Sequence, residues 1–144
     1  MSFMTQSVVI ERPVEEVFKA AVDFSNSPQI MEAVVAVELL SEGPVREGYK
    51  FKETREIRGR KVSAVIEVTA IEENRSYSVK SVQSGLDLRY HYQFEQAPEG
   101  TKVVFQGELF TQGLRNALTR PLIKQIIKKE DQNHLQHLKK FIES

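Results

Sequence analysis

TKVVFQGELFTQGLRNALTRPLIKQIIKKEDQNHLQHLKKFI, residues 101–142, changes its period once, at Gly113. Before the glycine, Val103, Phe105, Gly107 and Leu109 alternate with Lys102, Val104, Gln106 and Glu108, the two-residue repeat of a strand. After it the spacing is helical, and a helix is predicted from about Leu114 to Ile142. At about 100° per residue Ile123, Ile126, Ile127, Leu138 and Phe141 gather on one side, with Glu130 and His134 in the middle of it. An ionised carboxylate in a dry core costs several kcal/mol unless it is paired or meets water. A polar group or water is therefore expected beneath this helix, as in a cavity that a helix roofs. That arrangement points to binding a small molecule.

The rest of the chain supplies a wall for such a cavity. Phe3 to Glu11 reads as a strand rich in β-branched residues. Pro13 suits the first position of a helix, and Val14, Val17, Phe18 and Ala21 follow at spacings of three and four, with Glu15 and Glu16 in the first turn. A second helical turn or two is predicted near Gln29 to Ala33. Strands follow at about Val34 to Ser41, Gly48 to Ile57, Lys61 to Glu72, Ser76 to Gln83, Leu86 to Gln96 and Thr101 to Thr111. Short turn-forming segments such as Arg58-Gly59-Arg60 and Ser84-Gly85 separate them, so neighbours should pair as antiparallel hairpins. Strands collected in a run with helices on either side argue an α+β fold.

Composition narrows the function classes. A chain of 144 residues fits one domain spanning 1–144, long enough to bury roughly 70% of its unfolded surface. Lys and Arg total 20 and Asp and Glu total 20, so no excess of charge draws nucleic acid or an anionic membrane. The absence of cysteine excludes a disulfide framework, a thiolate zinc site and a cysteine nucleophile. No apolar run approaches the ~18 residues of a membrane span, and no charged segment precedes a shorter one. No integral membrane segment is expected, and a soluble, cytoplasmic protein is.

The ordered series Ile10-Glu11-Arg12-Pro13-Val14-Glu15-Glu16-Val17-Phe18 with Asp23 and Pro28, Glu47-Gly48-Tyr49-Lys50-Phe51, Gly59-Arg60, Glu67-Val68-Thr69-Ala70-Ile71-Glu72, Tyr92-Gln93-Phe94-Glu95 and Gly100-Thr101-Lys102-Val103 resembles the START/Bet v 1-like (SRPBCC) superfamily. It resembles most the bacterial polyketide cyclase/dehydrase-like branch. The resemblance implies the helix-grip fold: a curved antiparallel seven-stranded sheet wrapped around a long C-terminal helix, two short helices after the first strand, and an apolar cavity between sheet and helix. It implies no particular reaction, since the superfamily holds lipid carriers, hormone receptors and cyclases. One departure concerns the mouth. Members of the branch often carry a tryptophan soon after the proline of the second short helix, where this chain has Pro28-Gln29-Ile30-Met31 and no Trp anywhere.

Alternation places Tyr49, Phe51, Glu53, Arg55 and Ile57 on the inner face of one strand and Leu86, Leu88, Tyr90, Tyr92 and Phe94 on that of another. Tyr77 and Val79 add to the wall, and an inward Gly107 leaves room in the cup. Each polar candidate has two readings. Glu53 and Arg55 anchor a ligand, or form a structural ion pair, with Arg55 also within reach of Glu130. Glu130 and His134, one turn apart, make an acid-base couple or a helix-stabilising pair. Tyr90 and Tyr92 donate to a ligand or serve as core aromatics. Glu130, His134 and His137 lack a fourth ligand, so neither metal nor cofactor is expected.

The predicted site is therefore Tyr49, Phe51, Glu53, Arg55, Leu88, Tyr90, Tyr92, Phe105, Gly107, Ile123, Ile126, Ile127, Glu130 and His134. The expected ligand is a hydrophobic or amphipathic small molecule, such as a lipid, isoprenoid, aromatic or polyketide-like compound. Two alternatives stand beside a carrier: a cyclase or dehydratase with Glu130 or His134 as general acid or base, and an interaction module whose protein partner meets a filled cavity.

Overall fold

The computed structural model describes residues 2–144. In chain order its elements are β1 (Met4–Ile10), α1 (Val14–Val22), a 3-10 turn (Phe24–Asn26), α2 (Ser27–Ile30), β2 (Val34–Leu39), β3 (Lys50–Ile57), β4 (Arg60–Glu72), β5 (Ser76–Gln83), β6 (Leu86–Ala97), β7 (Gly100–Thr111), α3 (Leu114–Glu130) and α4 (His134–Glu143). The seven strands form one antiparallel sheet in the order β1-β7-β6-β5-β4-β3-β2. The helix-grip α+β fold is thus present.

Local chemistry explains the meander. Arg58 and Gly59 have φ of 53° and 78°, and Ser84 and Gly85 have 50° and 78°. Two successive positive φ values make the tight turn whose twist matches a β-hairpin, and glycine takes the second position without strain. Register shifts at Val34/Ala36 and Val68/Ala70 bend the sheet. β1 and β2 are its two edges, and α1 and α2 carry the chain from one to the other.

Val14, Val17, Phe18 and Ala21 are all buried, so the apolar face of α1 is the one the spacing predicts. Pro13 caps this helix from outside, and Val14 is its first residue. Phe18 meets Phe94 edge-on with ring centroids 5.3 Å apart, and Phe24 stacks on Phe51 at 4.2 Å. Leu135 and Leu138 of α4 complete this core.

The long C-terminal helix is present but broken at Asp131–Asn133. Gln6 of β1 holds the break: its Nε2 donates to the Asp131 carbonyl at 2.7 Å, and its Oε1 accepts from the Leu135 backbone N–H at 3.3 Å. Backbone groups freed by the break thus find partners. The break changes what the two halves bury. α4 buries His134, Leu135 and Leu138, whereas none of the described residues of α3 is buried. Ile123, Ile126 and Ile127 are half-buried, because α3 stands off the sheet over a hollow instead of packing on it.

Candidate functional site

Arg55 of β3 is the hub of a cluster at the inner end of that hollow. Its Nε donates to Glu53 Oε1 at 3.1 Å, and its Nη1 lies 3.3 Å from Asp131 Oδ1 and 3.7 Å from Glu130 Oε2. Its Nη2 approaches the Met31 sulfur at 3.8 Å. The Tyr90 hydroxyl donates to the other Asp131 oxygen. Next to it the Tyr92 hydroxyl and His134 Nε2 are 2.8 Å apart. These groups meet because inward positions of β3 and β6 face the helix break, where Asp131 and His134 turn towards the sheet.

Burial shapes their proton affinities. Desolvation raises the Glu53 carboxyl above its usual range against the pull of Arg55. Burial likewise raises Glu130, with Arg55 again opposing. Burial works against the charge of Arg55, but Asp131, Tyr90 and Glu53 outweigh it, and its pKa is raised. His134 is pushed down to about 4 by burial, against the attraction of Asp131, so its ring is neutral at pH 7. Its Nδ1 is buried without a hydrogen-bond partner among the described residues.

Arg55 divides the hollow in two. The inner chamber, about 60 Å³, is lined by Phe24, Met31, Phe51, Tyr77, Tyr92 and His134 among others. That is room for a few waters and well under the ~150 Å³ of a cavity that takes a benzene ring. The outer chamber, about 270 Å³, lies between α3 and the sheet, with Val62, Ala64, Leu86, Leu88, Ile127 and Glu130 in its wall. Glu53, Arg55, Ile66, Val79 and Tyr90 line both.

The structure thus brings together nine of the fourteen predicted site residues: Phe51, Glu53, Arg55, Leu88, Tyr90, Tyr92, Ile127, Glu130 and His134. Five others stand elsewhere. Tyr49 packs in the core against Phe24, at 6.3 Å, and Phe105 lies behind Tyr90, Tyr92 and His134. Ile126 sides with Lys129 on the far flank of α3, and Ile123 lines neither chamber. The room expected at Gly107 is taken: a Cβ there would lie 3.2 Å from Met4 Cε and 3.4 Å from Tyr90, since β1 pairs with β7 at this position. The Ile57 side chain, expected on the inner face, lies outside the described residues. Glu130 and His134 do not couple; Glu130 turns to Arg55 and His134 to Tyr92. Asp131 and Gln6 escaped the sequence reading. The one signal for them was Asp131-Gln132-Asn133, a poor helical stretch inside a helical pattern.

Residues 1–143 match the family described as polyketide cyclase / dehydrase and lipid transport. The chain belongs to that family. No curated protein matches it. Among solved structures, the Zhui aromatase/cyclase from Streptomyces sp. R1128 is 13% identical with a TM-score of 0.80, covering 97% of this chain and 92% of that one. TTHA0849 from Thermus thermophilus is 18% identical with a TM-score of 0.78, covering 96% and 95%. Ara h 8.0201 is 20% identical with a TM-score of 0.73, again covering 96% and 95%. At these identities the likeness is one of fold.

Proposed function

We propose, with membership of that family as the premise, that this protein binds a small hydrophobic or amphipathic molecule in the hollow between the sheet and α3. The observation that carries the reading is the outer chamber itself, about 270 Å³, walled by Val62, Ala64, Ile66, Leu86, Leu88 and Ile127 and closed at one end by the Arg55 cluster. An apolar wall supplies affinity at roughly 25 cal/mol per Å² buried, and a few polar groups at one end fix orientation. The volume falls just below the roughly 300–1,000 Å³ of ordinary ligand pockets, so a ring with a short chain fits better than a long polyketide or a two-chain lipid.

Native mass spectrometry of the purified protein, with extraction of co-purifying compounds and a panel of short amphiphiles, tests the reading. A retained or added compound at one per chain, weakened by Leu88→Asp, is expected. A protein that arrives empty and binds none of the panel would overturn it.

An acid-base enzyme of the cyclase or dehydratase kind is the second reading, and one observation favours it. Glu130 reaches the outer chamber, and burial raises its carboxyl above the ordinary range, the direction that suits a general acid. His134 is less suited, since Tyr92 occupies its Nε2 and the chamber beside it is too small for a ring.

A further inference from the structure

The polar end of the hollow has a sign. Three carboxylates, those of Glu53, Glu130 and Asp131, surround the single guanidinium of Arg55. That guanidinium is already committed: Nε to Glu53, Nη1 to Asp131 and Glu130, and Nη2 against the Met31 sulfur. A ligand carboxylate or phosphate arriving here would find no free fork of N–H donors and would face a surplus of acceptors.

The surplus is concrete. Glu53 has Arg55 as its one hydrogen-bond donor among the described residues, although an ionised carboxylate accepts several. Glu130, with its side chain 21% exposed in the outer chamber, has only the 3.7 Å approach of Arg55 and the more distant influence of Arg58. Asp131, by contrast, is satisfied by Arg55 and Tyr90. The other cation on the outer wall, Lys80, stands beside Asp87, whose carboxyl is held low by Arg89 first and Lys80 after it.

The inner chamber, too small for the ligand's ring, has an unmet polar atom of its own. His134 lines the inner chamber, is only 6% exposed, and leaves Nδ1 without a partner. Buried polar atoms of this kind are rarely left alone in a finished site.

We infer that the ligand's polar end is a hydrogen-bond donor, a protonated amine above all and a hydroxyl next, and that an anionic head is rejected. The inference rests on the reading that the hollow is a ligand site. Its apolar body lies along Leu88, Ile66 and Ile127, and its head reaches Glu130 and Glu53. The ligand class is thus a small amphipathic amine or alcohol with a body of about one ring and a short chain.

Three probes with nearly the same body separate the possibilities: 4-phenylbutylamine, 4-phenylbutan-1-ol and 4-phenylbutyrate. Calorimetric titration of the full chain is expected to rank amine over alcohol over carboxylate, with the amine at least tenfold tighter than the carboxylate. Methyl resonances of Leu88 and Ile127 should shift with the amine. In Glu130→Gln, a near-isosteric change at a partly exposed side chain, the advantage of the amine over the alcohol should shrink severalfold while thermal unfolding shows the variant folded.

Equal or tighter binding of the carboxylate would overturn the inference and leave the ligand site standing. An amine preference that Glu130→Gln and Glu53→Gln both leave unchanged would overturn it too. If none of the three probes binds, the ligand-site reading itself falls.

Discussion

Two helices share the C-terminal segment and differ in what holds them. α4 sets His134, Leu135 and Leu138 into the core and is tied to the first strand by Lys139, whose ammonium donates to the Val9 carbonyl at 2.7 Å. α3, longer by seven residues, buries none of its described residues and leaves Leu114, Leu118 and Leu122 63–78% exposed. Its ties are few and at its two ends, from Asn116 to the Ser84 carbonyl at 2.8 Å and from Arg120 to Thr111 at 3.0 Å near the start, and from Glu130 to Arg55 at 3.7 Å at the finish. A helix that closes a core must fill it. A helix that roofs a hollow must leave it unfilled, and so forgoes most of the burial that would fasten it. The Asp131 break lets one segment do both.

The hub between the two halves should give the largest effect. Arg55→Leu removes the only guanidinium among three carboxylates, and breaking a buried pair in this way costs about 3–5 kcal/mol. Urea unfolding measures it; a loss below 1 kcal/mol would mean the cluster is not what joins β3 to the break. Next comes the contrast itself. Leu135→Ala, in the core, should cost about 2–5 kcal/mol, and Leu118→Ala on α3 no more than ~0.5 kcal/mol. Comparable losses at the two positions would erase the distinction.

Acid should reach α4 through His134. From pH 6.5 down to about 4 the unfolded chain takes up a proton on this imidazole that the folded one refuses. Stability is therefore undiminished above pH 6.5 and falls as pH drops through that window, by up to about 3 kcal/mol at 1.36 kcal/mol per pKa unit. Glu53 acts in the opposite sense: its raised carboxyl is protonated first in the folded state, which relieves the cost of burying its charge as pH falls. The histidine's share is read from the difference in urea-unfolding stability between wild type and His134→Gln from pH 7 to pH 4.5. Parallel profiles would remove His134 as the cause. A modest effect, below those at Leu135 and His134, is expected at Gly107. A Cβ there meets the flexible end of Met4 at 3.2 Å, so Gly107→Ala should cost about 1 kcal/mol and leave ligand binding unchanged. A large loss of binding would instead put the glycine on the hollow.

The sheet was legible because its signals are local. Two-residue alternation marks each strand, and turn pairs such as Ser84-Gly85 mark each hairpin, so the strand boundaries from Val34 onward fall within about two residues of those expected. Glu53, Arg55, Tyr90 and Tyr92 followed from the same alternation. The helix break did not, since a 3.6-residue period runs through Asp131 without a glycine or proline to stop it. Once broken, the helix no longer sets Glu130 and His134 side by side, and the apparent couple dissolves into two separate bonds. Gly107 was misread for a different reason. What fills the space in front of it is Met4, and the pairing of the first strand with the last is a contact between residues some hundred positions apart that no local pattern records.

Hydrogen exchange on the protein alone and with saturating 4-phenylbutylamine tests the central claim, that the hollow under α3 is where a ligand is held. The account predicts faster exchange in α3 than in α4 for the free protein, and slowing on binding confined to residues 114–130 and the facing strands. Binding that leaves α3 exchange unchanged, or that protects α4 and the core instead, would contradict it.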